Sequence, residues 1–99
     1  MTFTDDWEGA RRVQMLRFLV RTGGEANEGV ICTTLEHTGF GRDTREAFRS
    51  DIEHLRRNGC ITEEWFDDVR VVRITERGDM AAQGRVEVVG VECSRWKTP

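Results

Sequence analysis

Apolar side chains recur at helical spacing through Trp7, Ala10, Val13, Leu16, Leu19 and Val20, behind a start in which Thr4 is followed by Asp5, Asp6 and Glu8. Acids near the positive end of a helix dipole, with apolar positions three and four apart, predict a first helix that runs to Arg21 and stops at Gly23-Gly24. Asn27 is placed to cap a short second helix with Val30, Ile31, Thr34 and Leu35 on its inner face and Gly39 at its end. Gly39-Phe40-Gly41-Arg42 then reads as a tight turn between helices, with Phe40 as the apolar plug beneath it.

The third helix has chemically marked ends. Asp43 is placed to cap it, Glu46 to complete a capping box, and Asn58-Gly59 to give a left-handed exit. On a wheel centred on Phe48, Thr44, Ile52 and Leu55 fall within about 40° and form a narrow stripe facing a core. Arg45, Arg56 and Arg49 lie at roughly 60°, 80° and 100°, and Arg42 just before the helix continues the row. Glu46, Ser50, Glu53 and Arg57 make a mixed, solvated opposite face.

Cys60 to Phe66 and Val69 to Ile74 are β-rich runs joined by Asp67-Asp68, which predicts a hairpin. Thr75 then caps a short fourth helix that packs through Met80, Ala81 and Ala82. The last fifteen residues, Arg85 to Pro99, alternate Val86, Val88 and Val91 with polar neighbours and carry Trp96. They read as an extended tail that either docks on a partner or folds back over its own core.

The expected fold class is therefore α+β: a winged helix-turn-helix with a three-helix core, a two-stranded hairpin wing, a short fourth helix and an extended C-terminal tail. The domain would span residues 1–84 and the tail residues 85–99. Ninety-nine residues, 37% of them hydrophobic, suit one small core. With no apolar run of bilayer length and an acidic N-terminus, the expectation is a soluble protein of the cytoplasm that contacts no membrane. The three cysteines, Cys32, Cys60 and Cys93, show no C-x-x-C spacing, so buried reduced thiols are expected rather than disulfides or a metal site.

Net charge is −3, divided as −2 over residues 1–41, +1 over residues 42–57 and −2 over residues 58–99. Only the third helix is positive, so its arginine flank is the candidate surface for double-stranded DNA. Guanidinium is planar and donates in pairs to guanine edges and phosphates. Arg45 and Arg49 are candidates for base-edge or phosphate contact, Arg42 and Thr44 for phosphates at the start of the helix, and Arg56 for flanking backbone. Arg70 and Arg73 are the positive candidates on the hairpin. So small a basic surface would need a homodimer to bind firmly.

Several strings carry a resemblance: Arg12-Val13-Gln14-Met15-Leu16-Arg17-Phe18-Leu19, Arg42-Asp43-Thr44-Arg45, the run from Asp51 to Thr62, Ile74-Thr75-Glu76-Arg77-Gly78, and Gly84 to Val91. In this order they are similar to the winged-helix superfamily of ArsR-like and MarR-like regulators, and more narrowly to small ArsR-like proteins of Mu-like phages and prophages. The resemblance implies a winged-helix fold, with transcription regulation or phage DNA handling as the expected work. Two features depart from it. Glu63, Glu64, Asp67 and Asp68 stand on the hairpin where a DNA-inserting wing carries Arg or Lys, and the paired cysteines of metal-sensing relatives are missing.

Those acids support two further readings: a winged helix used to bind a phage or host protein through Trp65, Val88, Val91 and Trp96, or an acidic DNA mimic or inhibitor. Catalysis is not expected. His37 and His54 have no motif partner, no phosphate cradle is present, and Cys32 and His37 lie 140° apart on a helix. No cofactor or metal is expected.

Overall fold

A computed structural model describes residues 3–93. The elements run α1 (Phe3–Arg21), β1 (Glu25–Asn27), α2 (Glu28–His37), α3 (Arg45–Arg57), β2 (Ile61–Phe66), β3 (Val69–Ile74) and α4 (Glu76–Ala82). Among the described residues this is an α+β arrangement of four helices and one three-stranded antiparallel sheet, in the order β1-β3-β2. It is consistent with a winged-helix-like architecture. Among the described residues no helix is long and apolar enough to cross a membrane.

The expected caps form, with one shift. Asn27 Oδ1 accepts from Val30 N at 2.9 Å, and Thr75 Oγ1 accepts from Gly78 N at 3.1 Å. At α3 the cap is Thr44, not Asp43: the Thr44 hydroxyl accepts from Ala47 N at 3.1 Å. Asp43 is free to turn inward, where it accepts from Trp7 Nε1 at 2.9 Å and pairs with Arg11. The α3 exit is as expected, with Gly59 in the left-handed region at φ 75°.

The sheet has a strand the hydrophobic pattern did not announce. Gly23 and Gly24, at φ 86° and 108°, reverse the chain after α1, so Glu25, Ala26 and Asn27 pair with Arg73, Val72 and Val71. Glu-Ala-Asn has little strand preference. It becomes a strand because β3 offers it an open edge. The hairpin registers Phe66 opposite Val69 and Trp65 opposite Arg70, across the two-residue turn Asp67-Asp68.

Met15, Leu16, Leu19, Phe48, Ile52 and Leu55 fill the centre, with Phe40 under the turn as expected. Two helix faces differ from expectation. On α2, Cys32 is buried and Val30 is 45% exposed. On α1, Trp7 and Val20 lie at the surface, while Arg11 and Arg12 are 4% and 9% exposed. The arginines are inside because Asp51 of α3, fully buried, meets both of them. Asp51 Oδ1 accepts from Arg11 Nη2 at 3.0 Å and from Arg12 Nε at 2.9 Å, and its Oδ2 accepts from Arg11 Nε. Burial disfavours the Arg11 charge, yet hydrogen bonds and attraction from Asp51, then Asp43, outweigh it and hold the guanidinium above its ordinary pKa.

Residues 85–93 do not leave the domain. Val88 is buried in the core, Val86 and Val91 pack against it, Arg12 Nη1 donates to Gly90 O at 3.1 Å, and Glu92 N donates to Gly9 O at 3.1 Å. Of the two readings of the tail, the strap over its own core is the one the described residues adopt. The expected boundary after residue 84 therefore separates no independent part before Cys93.

Candidate nucleic-acid and partner interface

The arginine flank of α3 reaches solvent, but it does not stand alone there. Arg45 Nε donates to Glu36 Oε1 at 3.1 Å, Arg49 Nε donates to Glu28 Oε2 at 3.1 Å, and Arg56 is hydrogen-bonded to Glu53. The hydrogen bond between Glu53 and Arg56 lowers the carboxyl pKa and raises that of the guanidinium. Among the described residues, no ion pair involves Arg42, and the Thr44 hydroxyl is occupied as a helix cap. Exposed pairs of this kind add little to stability, because water and salt screen them. Their electrostatic effect is larger, because a carboxylate a few ångströms from each guanidinium cancels the field that would draw phosphates in. The wheel of α3 could not show this, since two of the three carboxylates come from α2.

The two hairpin arginines are also engaged. Arg70, with a side chain only 14% exposed, lies over the Trp65 ring at 5.0 Å, with Nε 3.4 Å from Glu28 and 3.3 Å from Glu63. That burial removes it from the residues available to DNA. Arg73 sits between Glu64 and Glu25; the Glu64 hydrogen bond, then attraction to Glu25, raises its pKa. Glu63 and Glu64 are thereby each paired with an arginine that a second carboxylate shares, and the acids of the hairpin in no ion pair are Asp67 and Asp68 at the turn.

The residues expected to hold a partner divide. Val88, 5% exposed, and the half-buried Val91 face their own core and cannot serve. Trp96 lies outside the described residues. Trp65 is 52% exposed, and the structure adds two residues beside it that sequence reasoning missed: Phe66 at 53% and Val69 at 46%. The signal for them was their position as the two residues flanking a two-residue turn, where a hairpin runs past the core that should cover it. Cys32 and Cys60 are buried free thiols whose pKa burial pushes up, and Cys93 is buried as well. His54 is occupied by the strap, its Nε2 lying 2.7 Å from Val89 O.

The fold and surface define a small α+β domain with a neutralised arginine helix and an apolar hairpin tip. The chain is 34% identical to the uncharacterized protein gp26 of Escherichia phage Mu over 85 residues, covering 86% of this chain and 88% of gp26. It belongs to the family of phage Mu gp26, and its kinship is with phage proteins. No protein-family model matches the chain, and no solved structure matches it.

Proposed function

We propose that this protein is a winged-helix module that binds another protein, of the phage or of its host, in particle assembly or host takeover. The observation that carries this reading is the pairing of Arg45, Arg49 and Arg56 with Glu36, Glu28 and Glu53, which leaves the helix best placed for a major groove close to neutral. A net charge of −3 adds long-range repulsion of DNA. The test is fluorescence anisotropy of a labelled random duplex across a salt series. The expected result is no binding at about 0.15 M salt.

Double-stranded DNA is the second reading, favoured by the exposure of Arg42, Arg45, Arg49 and Arg56 along one flank. It calls for a homodimer with two such flanks about 34–36 Å apart. Duplex binding that weakens steeply with salt and disappears in the double variant Arg45→Ala/Arg49→Ala, with the melting temperature unchanged, would establish it against the first. The DNA-mimic reading has less support, because the pairing of Glu63 and Glu64 leaves only two free carboxylates on the hairpin.

A further inference from the structure

We infer that the hairpin tip is the docking surface, and that its partner is a protein presenting an apolar cleft rimmed by Lys or Arg. This rests on the protein-binding reading above and names the surface and the chemistry of its occupant. Trp65 projects from one face of the hairpin; Phe66 and Val69, registered opposite each other, project from the other. All three are about half exposed. The tip is therefore a wedge with apolar sides rather than a flat patch, a shape that enters a cleft. Trp65 is supported from within the hairpin: the Arg70 guanidinium lies over its ring at 5.0 Å and is itself within ion-pair distance of Glu28 and Glu63. A large aromatic with its rotamer already fixed loses little entropy on binding.

Charge selects the occupant. Asp67 and Asp68 form the turn, and no ion pair among the described residues involves either, whereas Glu63 and Glu64 just behind them are paired with Arg70 and Arg73. Two free carboxylates at the leading end of an apolar wedge call for cations on the rim of the receiving cleft. The same carboxylates argue against two tips meeting in a dimer, where four like charges would face one another. They argue equally against the tip entering a nucleic-acid groove.

A photoreactive phenylalanine analogue in place of Phe66, and in separate proteins in place of Arg49 and Arg21, tests this in the phage-producing host. The expected result is a protein captured from position 66 and not from position 49 or 21, its cross-linked segment carrying Lys or Arg beside apolar residues. That protein, purified, should bind the unlabelled chain directly. Trp65→Ser should weaken binding roughly thirtyfold or more, as loss of a central anchor does. Asp67→Asn/Asp68→Lys, which leaves the apolar residues in place, should weaken it about tenfold and flatten its salt dependence. Capture of a second copy of this chain, or binding indifferent to the Asp67/Asp68 variant, would overturn the proposal. Capture of a protein only from position 49 or 21 would overturn it while leaving the protein-binding reading intact. No capture at any position, with duplex binding present, would remove both.

Discussion

Replacing Asp51 with alanine should be among the most damaging single changes in this protein. The carboxylate is fully buried and accepts three charge-assisted hydrogen bonds, two from Arg11 and one from Arg12. Its removal leaves two guanidiniums, 4% and 9% exposed, with weaker company. Arg11 retains Asp43 at 3.2 Å, and Arg12 retains Glu8 at 3.5 Å and the Gly90 carbonyl. Breaking a buried pair from one side typically costs about 3–5 kcal/mol, because a charge is stranded without water. Against a total stability of roughly 5–15 kcal/mol, that is a large share. For a domain of this size it should lower the melting temperature by about 15–30 °C. Thermal and urea unfolding followed by circular dichroism measure it. A companion variant separates stranded charge from lost packing: Arg11→Met/Arg12→Leu/Asp51→Leu removes all three charges together and should recover most of the loss. An Asp51→Ala protein that melts within a few degrees of the wild type would refute the reasoning, as would a triple variant no better than the single one.

Three other changes test separate parts of the fold. A Cβ on Gly78 would sit 2.1 Å from the Cys60 carbonyl oxygen, a backbone atom that cannot yield, so Gly78→Ala should displace α4 and cost about 1–3 kcal/mol or more in urea unfolding. Asp67 is the one non-glycine residue with positive φ among those described, at 56°, so Asp67→Gly should raise the melting temperature by a few degrees, equivalent to roughly 1 kcal/mol. Burial raises the pKa of the Cys32 and Cys60 thiols in the folded protein, so the unfolded chain ionises first as pH rises. Their contribution to stability is then complete below the unfolded thiol value, about 8.5, and is lost as pH climbs from there toward the raised folded values. Unfolding free energies at pH 8 and pH 10 should show the decline, and alkylation by iodoacetamide at pH 8 should stay slow until denaturant is added.

Helix positions and caps were legible because they depend on neighbours in the chain. Asn27 and Thr75 bond to amides three residues on, and Phe40 is confined by a turn of four residues, whereas the α3 cap falls one residue later than expected, at Thr44. What was misread followed from distant partners. Arg11 and Arg12 look like surface residues until Asp51, about forty positions later, is brought against them. Glu25 to Asn27 look like loop until β3 offers its edge. The arginine row lies on one flank of α3, as its periodicity implies, but the pairing of Arg45 and Arg49 depends on Glu36 and Glu28 of a different helix.

By itself, the sequence determined the order of the four helices and the hairpin, the hairpin turn, the buried thiols and the outward flank of arginines, but not the strand β1. Each follows from local periodicity, from capping or from the conformational freedom of glycine. Only the tertiary structure decided which charges remain unmet: it paired Arg45, Arg49 and the hairpin glutamates, buried Val88, and left Trp65, Phe66, Val69, Asp67 and Asp68 facing water. The physical reason is that electrostatic and hydrophobic free energies depend on distance and burial in space, and side chains many positions apart in the chain set both.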